Sequence, residues 1–374
     1  MTRLRGVTWD HPRGLAPLVA LSDIGDVSVE WTARSLQAFA DQPIEQLADA
    51  YDLVVIDHPQ VPLIAQHGAL FPLDGTGRDQ EIAQLEKQSV GLSHASYWHG
   101  AHQYGLAIDA AAQVSVRRPD LLRAPAASWD EVLELSAAGR VVWPAKPVDA
   151  MSSFLTLAAN MGAPVCSGPG RFIPRREGLA VLDLLHRLAD SVDNWCLSAD
   201  PIAVAEHLAT SDHACYAPLT FGYVNYSRSG FRANRLAYAD IPLGPRGLAG
   251  SCLGGAGIAV SARSAYREAA VAYAFFLARG DTQRGNYYWA GGQPANALAW
   301  EDLAINRDCL DFFRSTRASL EQAVVRPRYA GWVALQERVG DLVHATLERY
   351  ISDEKCLESL DRECERLLAE EMTR

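Results

Sequence analysis

Leu53-Val54-Val55-Ile56-Asp57-His58-Pro59 decides the fold class of this chain. Four apolar residues in a row, with no polar alternation, read as a strand covered by helices on both faces. The run ends in a turn-forming Asp-His-Pro, and a helical pattern follows near Val61–His67. Working outward, Ile44–Ala50 reads as the preceding helix and Ala33–Ala40 as another. Val27–Trp31 alternates apolar and polar residues, as a half-buried strand does. A helix near Leu15–Leu21 and a strand at Leu4–Trp9 complete the start, with Asp10-His11-Pro12-Arg13-Gly14 as the link between them. Strands alternating with helices define an open α/β unit with a mostly parallel sheet.

Composition bounds the rest. The 374 residues suffice for two or three units of ordinary size, and 49% hydrophobic with 21% charged residues is the balance of a globular protein. No apolar run reaches the roughly 18 residues a membrane-spanning helix needs. A net charge of −11 argues against nucleic acid or an anionic membrane as partner, since Arg117-Arg118 and Arg175-Arg176 are isolated basic pairs and not a stripe. Seven dispersed cysteines show no metal spacing and suit a reducing compartment, with a single disulfide left open. Met1-Thr2-Arg3 leaves no room for an export signal ahead of the first strand, so the cytoplasm is expected. The alternative is the periplasm, if Met1 is not the natural start.

Downstream, Gln103–Asp109 and Ala112–Val116 read as consecutive strands crossing into a second lobe. Ser128-Trp129-Asp130-Glu131 is a capping box at a helix start. A strand is expected at Arg140–Trp143, with helices at Ala150–Met161 and Arg176–Val192. His213–Ala217, Ala237–Ile241 and Cys252–Val260 read as further strands. Helices at Ala265–Ala278, Thr282–Ala290, Gly331–Tyr350 and Glu354–Met372 follow, the last capped by Ser352 or Asp353.

Several segments together resemble the extracellular solute-binding proteins of family 1, the receptors of sugar-type ABC importers. They are Gly68-Ala69-Leu70-Phe71-Pro72-Leu73-Asp74, Tyr104-Gly105-Leu106, Ser128-Trp129-Asp130-Glu131, Gly254-Gly255-Ala256-Gly257 and Gly291-Gly292-Gln293-Pro294. The resemblance implies a two-lobed, periplasmic-binding-protein-like (type II) α/β fold with a ligand cleft between lobes joined by hinge segments. It implies one lobe of 1–109 with 253–309 and another of 110–252 with 310–374, closing over ligand by hinge motion.

In open α/β sheets, ligands gather beyond the carboxyl ends of the strands. Trp9, Asp10, His11, Asp57 and His58 lie at two such ends. Trp9 offers a stacking face or else packs in the core. Arg13, near a helix start, suits a carboxylate or phosphate, or else pairs with Asp10. His11 and His58 each stand between Asp and Pro, and four readings compete for them: ligand hydrogen bonding, a His–Asp metal site, a general base, or turn-forming residues with satisfied hydrogen bonds. Asp109 can accept from a ligand hydroxyl or ammonium, or serve only as a hinge turn. Trp143, Lys146, Tyr216, Phe221 and Tyr223 are candidates for the second wall. Gly254 and Gly255 would admit close backbone approach of a ligand, and Trp289 with Gly291-Gly292 would close the rim or else only terminate a helix.

No nucleophile motif, dinucleotide fingerprint or phosphate loop is found, so no cofactor is expected. The leading expectation is binding of a small polar solute, of sugar or organic-acid type, with an ABC permease as partner if the protein is exported. The alternative is a cytoplasmic enzyme on the same scaffold, with His11 or His58 as acid–base and Arg13 as anion anchor. A third reading is a cytoplasmic ligand sensor acting through a partner.

Overall fold

The computed structural model describes residues 1–35, 43–167 and 170–373, with side chains to 367. Its strands are β1 (Thr2–Trp9), β2 (Asp23–Ile24), β3 (Val27–Arg34), β4 (Leu53–Ile56), β5 (Trp98–His99), β6 (His102–Gln103), β7 (Leu106–Arg117), β8 (Tyr216–Phe221), β9 (Ala237–Ala239) and β10 (Leu253–Val260). The chain divides into two compact units, residues 1–111 with 254–307 and residues 112–253 with 308–374.

In the first unit the strand order is β2-β3-β1-β4-β10-β7. β1 runs parallel to β3 and β4, whereas β10 runs antiparallel to β4. Leu53, Val54, Val55 and Ile56 are all fully buried, as the continuous apolar run requires. The core beneath combines Leu4, Leu18, Val55, Ile258 and Phe275 with Trp9. Gly6 lies beside Trp31 in register, and a Cβ on Gly6 would come within 2.6 Å of that indole, so the missing side chain makes room for the ring.

In the second unit the later half of β7 pairs antiparallel with β8 and β9, with an irregularity between Val114 and Val116. The Pro147–Asn160 helix is buried along nearly its whole length and packs on the Trp332–Leu347 helix, where Gly340 approaches Pro147 closely. The Arg175–Ala189 helix packs on the C-terminal Asp353–Thr373 helix, with Gly178 against Leu357.

Several expectations need correction. Val27–Trp31 continues to Arg34, so Ala33 and Arg34 are strand and not helix; the remainder of that expected helix, from 36 to 40, lies outside the described residues. Of the strands expected at Gln103–Asp109 and Ala112–Val116, Gln103 belongs to β6, and Leu106–Asp109 runs on into Ala112–Val116 as the single β7, because Ala110-Ala111-Ala112 contains no turn residue and is buried throughout. Arg140–Trp143 forms only a bridge from Val141 to Tyr216, since Pro144 has no N–H to extend a ladder. The later strand is shifted to Tyr216–Phe221. The expected Thr282–Ala290 helix is interrupted by a π-turn at Gln283–Tyr287, with Gly285 in a non-helical conformation.

The caps are partly as expected. Ser128 accepts from the Glu131 amide at 3.3 Å, but the Glu131 carboxylate reaches one residue further back, to the amide of Ala127 at 2.8 Å. Ser352 accepts from the Lys355 amide, and Asp353 is engaged by His186 at 2.7 Å.

Candidate functional site

The parallel register places the first unit's candidates. Trp9 pairs with Arg34 across β1 and β3, and Val7 with Val54 across β1 and β4. Continuing in step, Asp10 lies level with Asp57, so two sequence-distant turns leave the sheet at one edge. The Asp10 amide bonds the Arg34 carbonyl at 2.7 Å, which fixes the exit of the chain from β1.

His11 then caps the Pro12–Ala20 helix. Its Nδ1 accepts from the Arg13 amide at 3.0 Å. A ring nitrogen that accepts an N–H carries no proton, so the neutral ring holds its proton on Nε2. Thr8 adds a second tie, its hydroxyl donating to the Gly14 carbonyl at 3.1 Å.

Asp57 does the same work at the end of β4. Its carboxylate accepts from the His58 amide at 2.8 Å, and the Gln60 side chain accepts from the Asp57 amide at 3.2 Å. His58 is 1% exposed, with Nδ1 3.3 Å from the Asp57 carboxylate.

Arg13 and Asp109 meet inside the unit. The guanidinium holds the carboxylate with two parallel bonds, Nε to Oδ2 at 2.7 Å and a second from Nη2 to Oδ1. Both side chains are buried. Burial pushes the Asp109 carboxyl upward, and the Arg13 charge draws it back. The partner expected from sequence, Asp10, is therefore corrected to Asp109, and the hinge-turn reading of Asp109 gives way to a place within β7. Gly255 lies on β10 with φ of 112°, where a Cβ would come within 2.4 Å of the Asp109 carbonyl oxygen. Its role is close approach of strand to strand.

Trp9 is corrected as well. It is 5% exposed, and a Cβ on Gly14 would come within 2.3 Å of its indole, so the first helix covers the ring. It serves the core and is no open stacking face. Trp289 is different: it is 49% exposed and meets Tyr288 edge to face at 5.0 Å.

In the second unit Trp143 is fully buried, its Nε1 donating to Ser153 Oγ at 3.1 Å. Gln113 Nε2 donates to the same oxygen at 3.2 Å, Thr156 donates to Gln113 Oε1 at 2.7 Å, and the Cys252 amide donates to Thr156 at 2.9 Å. This polar network ties the Pro147–Asn160 helix to β7, so Trp143 is likewise corrected from wall to core. Tyr216 is fully buried and Tyr223 nearly so. Lys146 reaches Asp200 at 3.2 Å.

Sequence reasoning missed four residues. Arg34 is 9% exposed, donates to the Val55 carbonyl at 3.2 Å, and is held down to about 10 by burial. Its signal was the end of an alternating strand. Gln283 and Gln293 donate to the Ala107 and Ala110 carbonyls of β7, at 3.1 and 2.8 Å. Tyr287 packs on Gly292 beside the Arg13–Asp109 pair, and burial drives its hydroxyl pKa upward. The Gly291-Gly292-Gln293-Pro294 segment thus anchors the edge of the unit. Among the described residues, no three His, Cys, Asp or Glu side chains gather so as to hold a metal ion, and no helix is long and apolar enough to cross a membrane.

Two α/β units, with polar turns following the parallel strands β1 and β4 of a mixed sheet, define a fold of the periplasmic-binding-protein-like class. The chain belongs to the bacterial extracellular solute-binding protein family, whose sequence profile matches residues 25–308. Solved structures share the fold over nearly the whole chain. Maltose-bound MalE3 of T. maritima is 18% identical, with 98% of this chain and 99% of that one covered and a TM-score of 0.81. The GacH receptor of Streptomyces glaucescens GLA.O, solved unliganded and with acarbose, is 16% identical over 98% of both chains, with a TM-score of 0.81. A ribitol-bound ABC-transporter solute-binding protein from Agrobacterium radiobacter K84 is 16% identical over 98% of both, with a TM-score of 0.80. No curated protein matches the sequence.

Proposed function

We propose that this protein binds a neutral polyhydroxylated solute, a sugar or a polyol, and delivers it to an ABC permease from outside the cytoplasm. The carrying observation is the buried Arg13–Asp109 pair. The arginine that sequence reasoning offered as an anion anchor is neutralised by its own carboxylate, so Arg13 offers no net positive charge to an anionic solute. His11 spends Nδ1 on its helix cap, which takes that nitrogen away from proton abstraction and favours binding over acid–base chemistry. Exposed Trp289 offers the apolar face on which a sugar ring stacks. The bound maltose, acarbose and ribitol of the structural neighbours, together with the family, support the same reading.

The test is calorimetry and thermal shift with maltose, ribitol, other sugars and polyols, and a matched set of carboxylic acids. A saccharide or polyol should bind, raise the melting temperature and leave the solution unchanged. Trp289→Ala should weaken that binding about tenfold, since a stacked ring contributes roughly 1–3 kcal/mol. Binding of carboxylates alone, or chemical conversion of the solute, would overturn the proposal. Fractionation of cells carrying the natural gene tests the location.

A further inference from the structure

Away from the strand-end site, one face of the Asp353–Thr373 helix receives a loop of the same unit. Leu357, Asp361 and Cys364 recur at helical spacing on that face. Leu357 meets Gly178, the Asp361 carboxylate accepts from the Phe172 amide at 2.8 Å, and Cys364 Sγ lies 3.8 Å from the Arg171 carbonyl. Phe172 is buried against Phe154, so the Phe172 end of the loop is held from both sides. Its other end is closed by the Cys166 amide, which bonds the Phe172 carbonyl at 2.8 Å.

That clamp sets Cys166 Sγ 3.2 Å from Cys364 Sγ. The two thiols are 198 positions apart in sequence and neither is bonded. About 1 Å of movement separates this contact from a covalent bond. Cys166 also holds a φ of 52°, a left-handed conformation that a non-glycine residue adopts only when its surroundings impose it. Cys166 is partly exposed, which gives an oxidant a way in.

We propose that Cys166 and Cys364 form a reversible disulfide that staples the loop to the C-terminal helix, with a small-molecule or protein disulfide as the oxidant. One thiolate of the pair attacks the donor disulfide, giving a mixed disulfide and one donor thiol. The second thiolate displaces the other donor half. The protein loses two protons and two electrons, and the donor leaves as two thiols. Because the bond links distant positions, it restricts the unfolded chain strongly and stabilises the folded one.

The native protein is incubated with glutathione disulfide, quenched with N-ethylmaleimide, digested and analysed by mass spectrometry. The expected product is a peptide joining Cys166 to Cys364, with loss of two of the seven thiols. The oxidised protein should melt several degrees higher, and dithiothreitol should reverse the shift. Cys166→Ser and Cys364→Ser should each abolish the linked peptide and the reversible shift. Recovery of both cysteines as separate glutathione adducts, or as fully alkylated thiols after oxidation, would overturn the proposal; the wild-type chain alone decides this.

Discussion

The Arg13 guanidinium grips both oxygens of the Asp109 carboxylate inside the first unit, joining the first helix to a strand 96 positions later. The pair does two things at once. It fixes the helix that His11 caps, and it removes a free cation from the strand-end site.

Breaking that pair should be costly. Asp109→Asn or Arg13→Met leaves one group buried and uncompensated, and each should lower stability by about 3–5 kcal/mol. Arg13→Met combined with Asp109→Leu should recover much of the loss. Urea denaturation of the single and double variants measures the coupling.

The His11 cap gives a smaller, separable effect. His11→Ala should cost about 1 kcal/mol, and His11→Asn should retain most of the stability because its side chain also caps well. If both variants bind solute as the wild type does, His11 is a cap and nothing more; a binding loss confined to His11→Asn and His11→Ala alike assigns Nε2 to the solute.

Gly255→Ala should destabilise by about 2–4 kcal/mol. A side chain there meets the Asp109 carbonyl oxygen at 2.4 Å on a backbone with φ of 112°. Thermal unfolding of the purified variant checks this, and an unchanged melting temperature would refute the close β10–β7 approach.

Two buried groups set opposite pH slopes. Burial pulls the His94 imidazole down to about 4. Between that value and the ordinary histidine value of about 6.5, the unfolded chain binds the extra proton, so stability of the first unit rises with pH across this window. Asp149 is pushed up to about 8, by burial first, with Lys146 opposing and Asp200 adding to the shift. Its Oδ2 makes no hydrogen bond among the described residues. Here the folded chain holds the proton from about pH 4 to 8, so stability of the second unit falls with rising pH, by up to roughly 1.4 kcal/mol per pH unit. Asp149→Asn should flatten that decline and exceed the wild type in urea resistance at pH 8, with no advantage near pH 4.

How much of this was legible from sequence can be judged from particular residues. The Leu53–Ile56 run and the turns after Trp9 and Ile56 were readable, because continuous burial and turn chemistry are local properties of the chain. The Ser128 cap was readable for the same reason, although the reach of Glu131 to Ala127 was not. The candidate site was readable only as a location. His11 and Asp57 were legible as polar groups just past strand ends, whereas Asp109 lies within β7, and the partners of all three were not legible, since a side chain's partner is chosen by packing across tens of residues.

Sequence by itself determined the class of the protein: alternating strands and helices, an acidic surface without a basic stripe, and motif order along the chain. Tertiary structure decided what the chosen residues do. It turned Trp9 and Trp143 inward, paired Arg13 with Asp109 in place of Asp10, brought Gln283 and Gln293 onto β7, and set Cys166 against Cys364. Periodicity records which face of an element is buried. Which groups meet on that face depends on register and helix packing, and those are fixed only when the whole unit closes around its core.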